Sequence, residues 1–197
     1  MSSGDLLDQS LGEFLEAVAS EDPTPGGGSA AALAVALSAG LTAMVARATE
    51  GWREARSVVA QAERLRKRVA PLAQLDAEAY EEALVAMKLP ERVEPTVRDM
   101  AVGAALKRAV DLPMAIAEAG ADAACLAAHA ADRGLEDRRA DAVTAALLAE
   151  AGTRAAAALV SVNLLVKAGD ERAQRAELLA KTAAQAAREA VRSLDAT

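Results

Sequence analysis

Apolar positions recur along this chain at three- and four-residue steps, and that spacing predicts helices almost throughout. Leu7, Leu11, Phe14, Leu15 and Val18 give one apolar face to a first helix from Asp5 to Ser20. Leu33, Leu37, Leu41, Met44, Val45 and Ala48 do the same for a second, which ends near Thr49-Glu50-Gly51. A third stretch runs from Glu54 to Met87 with Pro71 inside it, where proline must kink the helix or restart it. A fourth covers Thr96 to Ala131, interrupted near Pro113. A fifth follows the turn Asp132-Arg133-Gly134 and reaches Lys167, with Gly152 breaking its alanine-rich course. After Gly169-Asp170 a charged amphipathic helix extends from Glu171 to Leu194. No window sustains the alternation of a strand. The expected fold is all-α: an up-and-down bundle of long helices, one domain over residues 1–197.

Composition sharpens this picture. Hydrophobic residues make up 53% of the chain but aromatics only 2%, namely Phe14, Trp52 and Tyr80. Alanine therefore supplies most of the apolar content, and it forms helices well and strands poorly. Such a core gains less from burial than one of Leu, Ile and Phe. A homodimer, with the long second and third helices near its interface, would recover the difference. The net charge of −7 argues against nucleic acid as a partner. We read no apolar run as long enough to span a membrane without charge, and no secretory signal at the N-terminus. Cys125 is alone, so the chain has no disulfide framework, and a cytoplasmic protein is expected. His129 lies one helical turn from Cys125, but two ligands make no zinc site; no metal is expected.

Two places carry candidate chemistry. Asp22-Pro23-Thr24-Pro25-Gly26-Gly27-Gly28-Ser29 must turn the backbone, and it feeds directly into the apolar second helix. Free N–H groups of such a glycine loop can cradle an anion at the positive end of a helix. The same residues can equally be a turn and cap whose small side chains let helices approach. The second place is Asp76, which shares a helical stripe with Val69, Leu72, Tyr80, Ala83 and Met87. A carboxylate there is costly to ionise, so its pKa should rise, as at sites of proton transfer. A structural aspartate that caps the restarted helix or pairs with an arginine fits the pattern as well. Arg53 is either an anion contact or a solvated arginine. Asp141 and Asn163 lie among apolar neighbours, where each needs a partner, either a ligand or another helix.

Pro25-Gly26-Gly27-Gly28-Ser29-Ala30-Ala31-Ala32, about ten residues after Leu11-Gly12-Glu13-Phe14-Leu15, resembles the cyclodeaminase/cyclohydrolase family of folate enzymes. Leu75-Asp76-Ala77-Glu78-Ala79-Tyr80 followed by Ala86-Met87-Lys88-Leu89-Pro90 is the most specific match, and Arg108-Ala109 with Pro113 extends it. In Gly51-Trp52-Arg53-Glu54 one of the family's basic residues is kept. The chain departs where relatives show Asn, Ser-Asp and Asn-Val-x-Ile-Asn-Leu. Leu135, Ala140 and Leu159 replace polar residues there, while Asp141 and Asn163 are retained.

The resemblance implies a folate one-carbon enzyme that acts on a tetrahydrofolate derivative and uses no other cofactor. The reaction would be reversible hydrolysis of 5,10-methenyltetrahydrofolate to 10-formyltetrahydrofolate, with Asp76 as general acid–base. Gly26, Gly27, Gly28 and Ser29 would position the substrate, Asp141 and Asn163 would hold its pterin side, and Arg53 would steer its glutamate tail. Formiminotetrahydrofolate cyclodeaminase is the alternative reaction. A non-catalytic helical scaffold that kept the fold is the rival from another class, and the lost polar positions favour it.

Overall fold

The computed structural model describes residues 5–89, 94–164 and 170–195. Its elements are a 3-10 turn (Leu6–Asp8), α1 (Leu11–Ala19), α2 (Gly27–Ala48), α3 (Ala55–Val69), α4 (Leu72–Met87), α5 (Pro95–Arg133), a 3-10 turn (Glu136–Arg138), α6 (Arg139–Asn163) and α7 (Glu171–Arg192). There is no strand among the described residues. The expected first helix is two pieces. Ser10 starts the second with a capping box, its side chain accepting from the Glu13 N–H while Glu13 accepts from the Ser10 N–H. Of its apolar face only Phe14 is buried; Leu11 is 73% exposed.

Helix α6 packs most extensively on α5 and also on α2 and α7, while α3 and α4 cover α2 and α5. Most of the core is alanine, with Val35, Val45, Val69, Ile116 and Val160 the larger side chains that are fully enclosed. Small side chains let the axes come close. A Cβ on Gly152 would stand 2.7 Å from Val35 Cγ2 and 2.9 Å from the Ala31 carbonyl oxygen. Gly152 therefore marks an α2–α6 contact, and α6 runs through it unbroken.

Pro71 does restart the third stretch: α3 ends at Val69 and α4 begins at Leu72. Pro113, in contrast, lies inside an unbroken 39-residue α5. Proline removes the donor for the carbonyl four residues earlier, here that of Ala109. The Asn163 side-chain amide donates to that oxygen at 2.6 Å and restores the lost bond from a neighbouring helix. Helix α6 ends at Asn163, so its expected extension to Lys167 falls outside the described residues. Gly51, at φ 76°, turns the chain from α2 into α3.

The membrane expectation needs correcting. Gly27–Ala48 and Glu136–Asn163 are both long and apolar enough to cross a bilayer by length and composition. The bundle buries 61% and 50% of their most apolar windows, respectively.

Candidate active site

The glycine run opens α2 rather than preceding it. Gly26 is the N-cap, and Gly27 and Gly28 form the first turn with no side-chain cap. Its first N–H groups lack helical acceptors, as at any helix start. Gly28 is buried against α4, and a Cβ built on it would overlap the Asp76 carboxylate. The carboxyl group thus fills the space that any other residue at position 28 would occupy. Ser29 fixes the register of this contact: its buried hydroxyl donates at 2.6 Å to the Ala73 carbonyl, one turn before Asp76.

Asp76 is half-buried, and this desolvation raises its pKa above the ordinary 3.8. It makes no side-chain hydrogen bond or ion pair among the described residues, so no fixed cation holds it ionised. The expected apolar stripe is only partly real. Tyr80 and Met87 are 47% and 59% exposed, whereas Ala73, Ala77 and Ala83 form the buried line of α4. Alanines pack closer than tyrosine or methionine can, which rotates Asp76 to the edge of the core.

Other polar groups frame the same region. The Thr24 hydroxyl donates to Glu81 at 2.8 Å, fastening the Pro-Gly segment to α4. The Gln74 amide oxygen accepts the Leu6 N–H at 3.0 Å. Arg108 donates to both Glu82 oxygens at 2.6 and 2.8 Å and lies 3.7 Å from Glu78. The sequence reading missed Thr24, Gln74 and Glu81, whose partners are distant in sequence and carry no local signal. Asn163 lies toward this end through its bond to Ala109, beside Arg108, and there it joins helices rather than waiting unpaired for a ligand.

Arg53 and Asp141 do not join Asp76. Arg53 follows the C-terminal end of α2, and the 22 residues of that helix span roughly 33 Å. Asp141 is in the first turn of α6, which also packs near the C-terminal end of α2: the Leu135 N–H donates to Thr49 Oγ1 at 3.1 Å. Asp141 is not buried as its neighbours suggested, for its side chain is 42% exposed and lies 3.9 Å from Arg138. Leu135 and Ala140 share that end. Beside it, Trp52 and His129 form a tilted ring contact at 5.3 Å. Among the described residues no group of three or more His, Cys, Asp or Glu is placed to hold a metal. Two grooves of about 830 Å³ flank the Cys125–His129 ridge of α5, and Asp76 lines neither. Concavity and candidate chemistry lie apart, and we weigh the desolvated carboxyl above the grooves because it can move a proton.

The described residues thus form an all-helical bundle in which a desolvated carboxyl lies against the first turn of α2. Residues 10–184 match the formiminotransferase-cyclodeaminase family, and the chain belongs to that family of folate one-carbon enzymes. It is 34% identical over 180 residues to methenyltetrahydrofolate cyclohydrolase of Methylorubrum extorquens, covering 87% of this chain and 86% of the relative. It is 35% identical over 122 residues to formimidoyltransferase-cyclodeaminase of Rattus norvegicus, a match spanning 57% of this chain and 23% of that protein. The fold superposes on formiminotetrahydrofolate cyclodeaminase from Thermotoga maritima with a TM-score of 0.82 at 26% identity, covering 96% of this chain and 98% of that one. Membership in an enzyme family sets aside the non-catalytic scaffold.

Proposed function

We propose that the protein interconverts 5,10-methenyltetrahydrofolate and 10-formyltetrahydrofolate, with Asp76 as the general acid–base. The placement of the Asp76 carboxyl against Gly28, at the opening of α2, carries this reading. The methenyl group is a cationic N–CH–N unit, so an ionised carboxylate beside it is favourable and can accept a proton from the attacking water. The water oxygen bonds to the methenyl carbon. The C–N5 bond then breaks with its electron pair on N5, which takes the proton held by Asp76, while the new hydroxyl loses its proton to solvent and leaves a formyl group on N10. The backbone N–H groups of Gly27 and Gly28, in the first turn of α2, would meet an anionic or carbonyl oxygen of the substrate. Similarity to the Methylorubrum cyclohydrolase over nearly the whole chain supports this reaction.

The test follows the decay of methenyl absorbance. Wild-type protein should accelerate it, and Asp76→Asn should lose about a hundredfold or more while keeping its helical spectrum. Full activity in Asp76→Asn would end the assignment.

The likeness to the Thermotoga cyclodeaminase favours a second reading. In it, N10 attacks the formimino carbon on N5 and ammonia leaves after receiving a proton. A carboxyl with a raised pKa can supply that proton. Ammonia release from 5-formiminotetrahydrofolate, without methenyl hydrolysis, would select this reaction.

A further inference from the structure

Helix α2 covers only part of α4. It runs back along α4 and α3, for Gly28 meets Asp76, Ser29 bonds Ala73 and Arg47 pairs with Glu63. Helix α4 continues in the other direction, past the start of α2, to Met87. On that continuation Tyr80 and Met87 fall on the same helical face as Asp76. Thr24, bonded to Glu81, flanks this face on one side, and Ala86, packed with Ala105 of α5, flanks it on the other. Between the flanks Tyr80 and Met87 stay exposed. They form an open shelf whose inner end is the Asp76 carboxyl.

The fold itself makes little use of Tyr80. Of the three aromatic residues, Phe14 is buried and Trp52 lies against His129. Tyr80 has no ring partner and no hydrogen bond among the described residues. Side chains four apart on a helix have their Cβ atoms about 5–6 Å from each other. A molecule whose reacting carbon sits at Asp76 therefore lays the group bonded beyond that carbon over the Tyr80 ring.

We infer that Tyr80 binds the substrate by stacking on a planar ring next to the reacting carbon. This deepens the function proposed above and rests on it, since there the N–CH–N unit joins a pterin to a p-aminobenzoyl group. The stack selects a one-carbon unit carried between flat rings over the same cation on a small amine. It needs the face of the tyrosine ring and not its hydroxyl.

Tyr80→Ala should raise KM about tenfold, in keeping with the loss of one stacked ring. Its kcat should stay within about twofold of wild type, because the stack is made in ground and transition state alike. Tyr80→Phe should return KM to within about twofold of wild type. Calorimetric titration with 5-formyltetrahydrofolate reads the same loss without turnover: about tenfold weaker binding in Tyr80→Ala, with near wild-type binding in Tyr80→Phe. Thermal melts of both variants within a few degrees of wild type assign the loss to the ring. Wild-type KM and affinity in Tyr80→Ala, or a Tyr80→Phe as impaired as Tyr80→Ala, overturns the stack and leaves the proposed reaction standing. A wild-type protein that neither speeds methenyl decay nor binds 5-formyltetrahydrofolate overturns both.

Discussion

The side-chain amide of Asn163 donates at 2.6 Å to the carbonyl of Ala109, the acceptor that Pro113 deprives of its helical donor. A retained polar residue on α6 thus compensates a proline on α5, and the pair is energetically one unit. Asn163→Ala should cost about 1 kcal/mol, since the Ala109 acceptor it leaves unpaired is part-buried. Pro113→Ala returns an N–H to Ala109, so adding Asn163→Ala to Pro113→Ala should cost clearly less. Urea denaturation of the four proteins measures the coupling. Additive losses would show that Asn163 does not stand in for the missing donor.

At Gly28 the expected effect is on chemistry more than on folding. The group that a Cβ would strike is the Asp76 carboxyl, the far end of a flexible side chain that can turn away. Gly28→Ala should displace it, with a loss of turnover approaching that of Asp76→Asn and a change in Tm of only a few degrees. The outcome that counts against this is an active Gly28→Ala enzyme with wild-type kcat.

Much of this architecture was legible because alanine-rich segments with helical spacing leave few alternatives, and Pro71 ended α3 as its chemistry requires. Pro113 and Gly152 misled because each is rescued from another helix: Asn163 supplies the bond that Pro113 removes, and α2 fills the space that Gly152 leaves. The stripe through Tyr80 and Met87 misled for a different reason. In an alanine core the small residues win the close contacts, and larger apolar side chains are left at the rim. That burial would raise the pKa of Asp76 was legible from its neighbours in sequence, but its contact with Gly28 and the distance to Arg53 are properties of the packing alone.

The α2–α6 contact gives a prediction about stability. On Gly152 a new methyl group would press on the Ala31 carbonyl, a backbone atom held within α2, as well as on Val35. Neither helix can yield without disturbing the core. Gly152→Ala should therefore destabilise by about 1 to 3 kcal/mol, despite alanine's advantage of about 1 kcal/mol within a helix. Chemical denaturation with an unchanged m-value would report it. A stabilised Gly152→Ala would mean that the helices separate easily here.

The raised pKa of Asp76 fixes the sign of a pH effect. In the unfolded chain this carboxyl ionises near the ordinary 3.8, whereas in the fold desolvation makes it hold its proton to higher pH. Below 3.8 both states are protonated and the fold bears no charge-burial cost. As pH rises from there through the raised value, the unfolded chain gives up its proton first, and the stability held at low pH is lost. Asn does not titrate. Asp76→Asn should thus be more stable than the wild type at neutral pH, with an advantage that shrinks as pH falls toward and below 3.8. Thermal melts at several pH values check this. A wild-type protein more stable than Asp76→Asn at neutral pH would mean that the ionised carboxylate has a stabilising partner, which would lower its pKa. For catalysis the same shift places the acidic limb of kcat/KM, where the Asp76 base becomes protonated, above the ordinary aspartate value, and that limb should disappear from whatever activity Asp76→Asn retains.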